Sequence, residues 1–295
     1  MNTMTRNLLR PDTPSFDVMR RPIRDILTVV TSTAPWARSA LVGVHLAARW
    51  DSALSACLVV PALHRFAAVA ECDAAGRPGE PSIAAKETAG AADFAQFAQR
   101  HGIAETHWVV ASTNMVRTLR ELGTWHDLAI LEHDIVEPDG LLESLFDALL
   151  ACRIPCLVLP PACDPAPQFA RIAIEWNGSI EAIRAMHAAL PLLLLEASEV
   201  HLLGNSLCGS RHDGAGMVCF DPVDYLARRG ISVIVHDIRA DTPVAGEALL
   251  EQCGRVHAQL LVVNAYAPAS QRERVCGDVT RHALMHADIP VLMHH

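Results

Sequence analysis

From Asn264 to Asp278 the chain reads NAYAPASQRERVCGD. It lies between a run with the character of a buried strand, Gln259 to Asn264, and a helical pattern, Glu273 to His286. A loop joining a parallel strand to the helix that follows is where α/β proteins hold phosphate, because backbone N–H groups converge there and the helix N-terminus adds partial positive charge. That chemistry needs glycine wherever backbone must approach the anion closely. Ala267 and Asp278 oppose it, the first with a Cβ and the second with a carboxylate at the helix start. The sequence therefore raises the question of whether ATP binds or whether the scaffold persists without its ligand.

Other residue groupings able to do chemistry are few. His282 and His286 are spaced i,i+4, as zinc ligands can be, with Cys276, His294 and His295 nearby in sequence, but no glutamate completes an H-E-x-x-H motif. Glu132, His133 and Asp134 are expected to face Ser32 and Thr33, a polar cluster that could bind a cation or do acid/base work; a hydrated acidic loop is the plainer account. GNSLCG, Gly204 to Gly209, has the wrong spacing for a nucleophile elbow. Neither G-x-G-x-x-G nor G-x-x-x-x-G-K-[ST] occurs. No catalytic residue and no metal ligand set is assigned.

Composition narrows the class. The 295 residues suffice for two domains, and 51% hydrophobic content can fill two cores. A net charge of -9 leaves no basic surplus for a nucleic-acid backbone. All 24 basic residues except Lys86 are arginine. Nine cysteines without framework spacing suit a reducing cytoplasm and read as small buried hydrophobes; Pro155 separates Cys152 from Cys156. The N-terminal stretch carries no signal-like run. The apolar run Ala188 to Leu195 contains Pro191 and is too short to span a membrane. The five tryptophans, Trp36, Trp50, Trp108, Trp125 and Trp176, read as core or rim residues, with Trp176 placed to line a crevice.

The elements that must position these residues alternate in type. Strands are expected at Ile26–Thr31, Ala53–Val60, His107–Ala111, Leu128–Glu132 and Cys156–Leu159, then at Ile172–Trp176, Glu199–Leu203, Ile231–His236, Gln259–Asn264 and Pro290–Met293. Helices are expected near Trp36–Arg49, Asp93–Arg100, Thr113–Leu122, Gly140–Cys152, Ser179–Leu190, Pro222–Arg229, Pro243–Cys253 and Glu273–His286. The order repeats: RIPCLVL at Arg153–Leu159 answers DIPVLMH at Asp288–His294, and RDILTVVTS at Arg24–Ser32 answers RIAIEWNGS at Arg171–Ser179. The second copy is about eleven residues shorter. The proline-rich PPACDPAPQ, Pro160 to Gln168, is the linker; Asp73–Ser82 and Leu207–Met217 read as surface loops.

With the first strand central and the fourth beside it, a ligand belongs beyond their carboxyl ends. In the second copy those ends carry Asn177, Gly178 and Ser179, and the loop from Asn264 to Asp278. AIEWNGSIEAIRAMHAALPLL together with LLVVNAYAPASQRERVCGDVTRHALMHADIPVLM closely resembles the universal stress protein family. The resemblance spans Ile23 to His294 as two copies, specific in the second and faint in the first. It implies strand order 3-2-1-4-5, dimerisation through the last strand and, in the nucleotide-binding branch, an ATP loop G-x-x-G-x9-G-[ST]. Those four positions fall on Asn264, Ala267, Gly277 and Asp278, so one of four is kept. The branch's acidic residue after the first strand falls at Asn177 and, in the first copy, Thr31.

Asn264 tolerates a left-handed turn, Ala267 crowds the ligand, and Asp278 repels it. Two unit charges about 5 Å apart at an effective dielectric near 20 repel by roughly 3 kcal/mol, about a hundredfold in affinity. Arg272 and Arg274 could compensate but read more simply as solvated.

The expectation is an α/β fold of two open five-stranded parallel sheets flanked by helices, Rossmann-like and similar to the adenine nucleotide alpha hydrolases, in units 22–160 and 169–295. Edge pairing of Cys156–Leu159 with Pro290–Met293 would make a pseudo-dimer; further homodimerisation is left open. The function expected is a non-enzymatic, cytoplasmic stress-response role without a cofactor, with ATP binding lost or weakened and an unidentified protein or small molecule as partner. One alternative is an ATP-binding stress switch, with weak ATPase activity, that uses Asn177, Gly178, Ser179, backbone near Leu202, and Gly277. The other is a metal- or small-ligand-binding module at Glu132, His133 and Asp134.

Overall fold

The computed structural model describes residues 22–59, 83–111, 115–133, 149, 152–204, 221–238, 245–264 and 278–294. Ten strands and seven helices make up the described chain. The strands are β1 (Asp25–Val30), β2 (Ala53–Val59), β3 (Thr106–Ala111), β4 (Leu128–Glu132), β5 (Cys156–Leu159), β6 (Arg171–Trp176), β7 (Glu199–Gly204), β8 (Val233–Asp237), β9 (Leu260–Asn264) and β10 (Val291–His294). The helices are α1 (Arg38–Trp50), α2 (Ile83–Gln99), α3 (Met115–Gly123), α4 (Ile180–Leu195), α5 (Pro222–Ala227), α6 (Ala245–Arg255) and α7 (Asp278–His286).

The two five-stranded sheets expected from the sequence are joined into one through the expected edge pairing of Cys156–Leu159 with the last strand. All ten strands form a single sheet in the order β3-β2-β1-β4-β5-β10-β9-β6-β7-β8. Every pairing is parallel except the central one, where β5 and β10 run antiparallel with Val158 opposite Val291 and Cys156 opposite Met293. The reason is physical. Both strands are almost wholly buried apolar tetrapeptides, and a sheet edge of that kind left open exposes unpaired N–H and C=O groups.

Continuous apolar runs sit in the middle of the sheet because helices cover both faces. One face packs Ile26, Leu54, Ile130, Ile172 and Val262 against α1, α2 and α4. The other packs Leu27, Leu131, Ala173 and Val263 against α3, α6 and α7. Near the outer end of the first face Trp36 stacks on Phe97 with ring centroids 4.8 Å apart, and Trp108 meets Phe94 at 5.6 Å. Gly90 lets α2 lie on the Trp108 ring, since a Cβ there would come within 2.5 Å of it.

Several sequence expectations change. Helix α2 begins ten residues before Asp93, and α4 runs on through Pro191 to Leu195. Proline removes one backbone donor from that helix, but Ala189, Leu192 and Leu193 are buried around it and hold the turn in place. Trp125 is 78% exposed rather than packed. The expected helix Gly140–Cys152 and the loops Asp73–Ser82 and Leu207–Met217 lie largely or wholly outside the described residues. No described helix is long and apolar enough to cross a membrane.

Cys57, Cys152, Cys156, Cys163 and Cys253 are buried free thiols. Burial pushes Cys57 and Cys253 up to about 12 and Cys163 up to about 11. The Cys156 thiol is also raised, first by its hydrogen bond with Cys152 and then by burial.

Candidate functional site

The crevice of the second half opens at the carboxyl ends of β6 and β9. Beyond β6, Asn177 Oδ1 accepts from the Ser179 N–H at 3.0 Å, and the turn passes through Gly178 at φ +76. That left-handed φ favours glycine. Ser179 then caps α4, its Oγ accepting from the Ala182 N–H at 3.1 Å. Asn177, Gly178 and Ser179 thus form one compact turn at the mouth, and their side-chain acceptors are already used in building it.

Asn264 ends β9 and is 2% exposed. Its Nδ2 donates to Glu175 Oε2, and its carbonyl accepts from the Thr280 hydroxyl at 2.6 Å. The first turn of α7 is thereby tied to the end of β9, and the end of β9 to β6. Glu175 is 7% exposed, and burial raises its carboxyl to about 7 against the opposing hydrogen bonds from Asn264. Desolvation outweighs two donors because removing a carboxylate from water costs more than neutral hydrogen bonds return.

The remaining residues of the expected site are Leu202, Ala267, Gly277 and Asp278. Leu202 is fully buried in the core, and β7 is laddered on both sides, Leu202 lying opposite Ile174 and Val235; the structure does not bring its side chain to the crevice. Gly204 is the β7 residue at the mouth, and a Cβ on it would lie 2.0 Å from the Trp176 carbonyl oxygen. Trp176 itself is buried against the core. Ala267, Gly277, Arg272, Arg274 and Cys276 lie outside the described residues; Asp278 is the first residue of α7. Sequence reading missed Glu175 and Thr280. The available signal was a single carboxylate inside the strand RIAIEW and a hydroxyl in the first turn of α7.

In the first half the corresponding loop is longer and closes on itself. Ser32 Oγ donates to the Pro35 carbonyl at 2.8 Å, Thr33 bridges to Trp36, and the Ala37 N–H donates to the Ser32 carbonyl. Ala37, at the N-cap of α1, has no side-chain acceptor to offer. Glu132, from the end of β4, reaches over instead, and its Oε1 accepts from the Ser39 N–H at 2.8 Å. Ser39 Oγ donates to the Val29 carbonyl at 2.6 Å. Glu132 was expected to face Ser32 and Thr33; it occupies the helix N-terminus because that is where an unsatisfied N–H needs an acceptor. Asp134 is outside the described residues.

No group of three metal-ligating side chains occurs among the described residues. His282 and His286 lie side by side, ring centroids 4.5 Å apart, with the His282 ring against Gly246. His286 lines a cavity of about 330 Å³ with His133 and Asp288. His294 ends β10 and lines a different cavity, so these histidines do not converge.

No known family profile and no curated protein matches the sequence. Solved structures do match its fold. A universal stress protein from Archaeoglobus fulgidus DSM 4304 superposes with a TM-score of 0.61 at 13% identity, over 93% of this chain and 97% of that one. A functionally unknown protein from Pseudomonas aeruginosa PAO1 superposes with a TM-score of 0.59 at 14% identity, over 94% of each. The chain has the α/β fold of these structures, with a large, mostly parallel sheet flanked by helices.

Proposed function

We propose that the chain is a tandem member of the universal stress protein family, cytoplasmic and non-enzymatic, in which ATP binding is lost or weakened and which acts on a protein or small-molecule partner. The fold likeness supports the family. The observation that carries the loss of nucleotide binding is a protein carboxylate in each crevice. Glu132 occupies the N-terminus of α1, and Glu175 sits buried beside Asn264 where β6 and β9 end. A triphosphate entering the first crevice meets Glu132 at short range, and one entering the second meets a negative charge once Glu175 ionises at about pH 7 and above, before the effects of Ala267 and Asp278 are counted.

Titration calorimetry with Mg-ATP tests the reading. The wild-type chain is expected to show no binding tighter than about 1 mM, and an Ala267→Gly, Asp278→Ser variant to gain roughly a hundredfold or more. Wild-type binding tighter than about 100 µM overturns the proposal. One observation favours an ATP-binding switch as second reading: a Cβ built at Gly178 meets nothing within 4 Å, so the turn at the mouth faces open space that a ribose could fill.

A further inference from the structure

Strands β7 and β8 carry two histidines on the face that α6 covers, and the two rings meet. His201 Nδ1 and His236 Nε2 are 3.0 Å apart, with ring centroids at 5.2 Å, and Gln252 Nε2 of α6 lies 3.1 Å from His236 Nδ1. His201 is 3% exposed and His236 is half-buried. The fold does not demand the pair: traced through the strand registers, the same positions in the first half are Ser55 and Val109. Strand β8 is outermost on its side of the sheet, where its sheet partner is β7.

The polar groups fix where the protons lie. An amide nitrogen only donates, so Gln252 Nε2 donates to His236 Nδ1. A neutral His236 then carries its proton on Nε2 and donates it to His201 Nδ1. That leaves the His201 proton on Nε2, which is buried without a hydrogen-bond partner among the described residues and lies 3.5 Å from Glu199 Oε1. The reverse order would turn a bare Nε2 lone pair toward the Glu199 carboxylate, and two acceptors repel. The result is a one-way chain from α6 through β8 and β7 to Glu199.

This chain has no place for two added protons. A first proton fits on His236 Nδ1 once the Gln252 amide turns its oxygen inward. A second must go to His201 Nδ1, where it meets the His236 Nε2–H across 3.0 Å and sets two positive rings in contact. The groups facing His201 do not offset this. Burial holds its imidazole below the ordinary 6.5; Glu199 opposes that shift, while His236 and Arg171 of β6 add to it. Among the described residues of α6, Gln252 is neutral, Cys253 is a thiol pushed up to about 12, and Glu251 and Arg255 bond to each other at the surface. Asp237 follows His236 on β8 and so lies on the opposite face of the sheet. A histidine lowered in the folded state contributes stability that is whole above about pH 6.5 and is lost as pH falls below it.

We propose that the His201–His236 pair is an acid-sensitive latch, which ties β8 and α6 to β7 while a single proton lies between the rings and opens this edge of the sheet when both rings are charged. Opening lets water reach Leu203 and Leu249, which share the face. Amide hydrogen exchange of the full chain, corrected for the intrinsic effect of pH, reads the opening strand by strand. Between pH 7 and pH 5 the protection of Val233–Asp237 is expected to fall about tenfold or more while that of β4 and β9 is unchanged. In His236→Gln, whose side chain forms hydrogen bonds but takes no proton, the fall is expected to shrink below about twofold. Nitrogen-15 shifts of the wild-type imidazoles at pH 7.5 test the latch without a variant, and both rings are expected as Nε2–H tautomers. The proposal is overturned if β8 is equally protected at pH 5 and pH 7, if β4 and β9 lose protection along with it, if His236→Gln loses as much as the wild type, or if either ring carries its proton on Nδ1 at pH 7.5.

Discussion

Replacing Glu175 by glutamine is expected to make the protein more resistant to unfolding as pH rises. The Glu175 carboxyl lies near 7 in the folded chain against 4.5 in the unfolded one, with burial as the cause. A carboxyl raised in this way binds its proton more tightly folded than unfolded. Its contribution to stability is therefore full below about pH 4.5 and is lost as pH rises through about 7. Two and a half pKa units correspond to about 3 kcal/mol, most of which develops between pH 5 and pH 8. Glutamine keeps an oxygen able to accept from Asn264 Nδ2 but never ionises. The stability difference, variant minus wild type, should thus grow by about 2 to 3 kcal/mol from pH 5 to pH 8, or roughly 5 to 10 °C in Tm. Taking the difference cancels groups common to both proteins, such as His201, whose buried imidazole is shifted down. Urea and thermal unfolding of both proteins at pH 5, 6, 7 and 8 measure it. A difference that stays flat across that range would refute the argument that Glu175 is held protonated by burial.

Gly204→Ala should destabilise by roughly 2 to 4 kcal/mol or prevent folding, because the added Cβ would sit 2.0 Å from the Trp176 carbonyl oxygen and backbone must move; an unchanged melting temperature contradicts this. Glu132→Ala removes the acceptor of the Ser39 N–H and should cost about 1 kcal/mol in urea unfolding, with a smaller loss for Glu132→Gln, which keeps an oxygen there. Cys57, Cys152, Cys156, Cys163 and Cys253 should resist iodoacetamide in the native protein at pH 8 and react once it is unfolded; mass spectrometry that finds Cys57 or Cys253 modified in the native state contradicts their burial.

Strands with uninterrupted apolar runs were legible to within a residue. Leu128–Glu132 and Cys156–Leu159 are where the sequence puts them, because both faces of those strands are covered and each position must be apolar. At the edge the constraint relaxes: β8 begins at Val233 rather than Ile231, and Ile234 and Val235 are 47% and 44% exposed. The early start of α2 was hidden by its weakly patterned sequence IAAKETAG, where alanine supports a helix without marking a face. The aromatic pair Phe94 and Phe97 marked only its second half. The turn Asn177–Ser179 could be read because its residue types encode their own hydrogen bonds. Glu175 could not, since its partner Asn264 lies 89 positions away and only the β6–β9 pairing joins them.

The proposed exclusion of an anion rests on a different carboxyl group in each crevice, Glu132 in the first and Glu175 in the second. In the first, an incoming phosphate must take the Ser39 N–H from Glu132, a hydrogen bond to a carboxylate worth about 1.5 to 3 kcal/mol. In the second, the repulsion depends on whether Glu175 is ionised. Near pH 6 the buried carboxyl is mostly protonated, and near pH 8 it is mostly charged. An anion bound at the second crevice of the Ala267→Gly, Asp278→Ser variant should therefore weaken as pH rises from 6 to 8, and Glu175→Gln added to that variant should abolish the dependence. Binding that falls just as steeply with pH in the Gln variant would place the responsible group elsewhere.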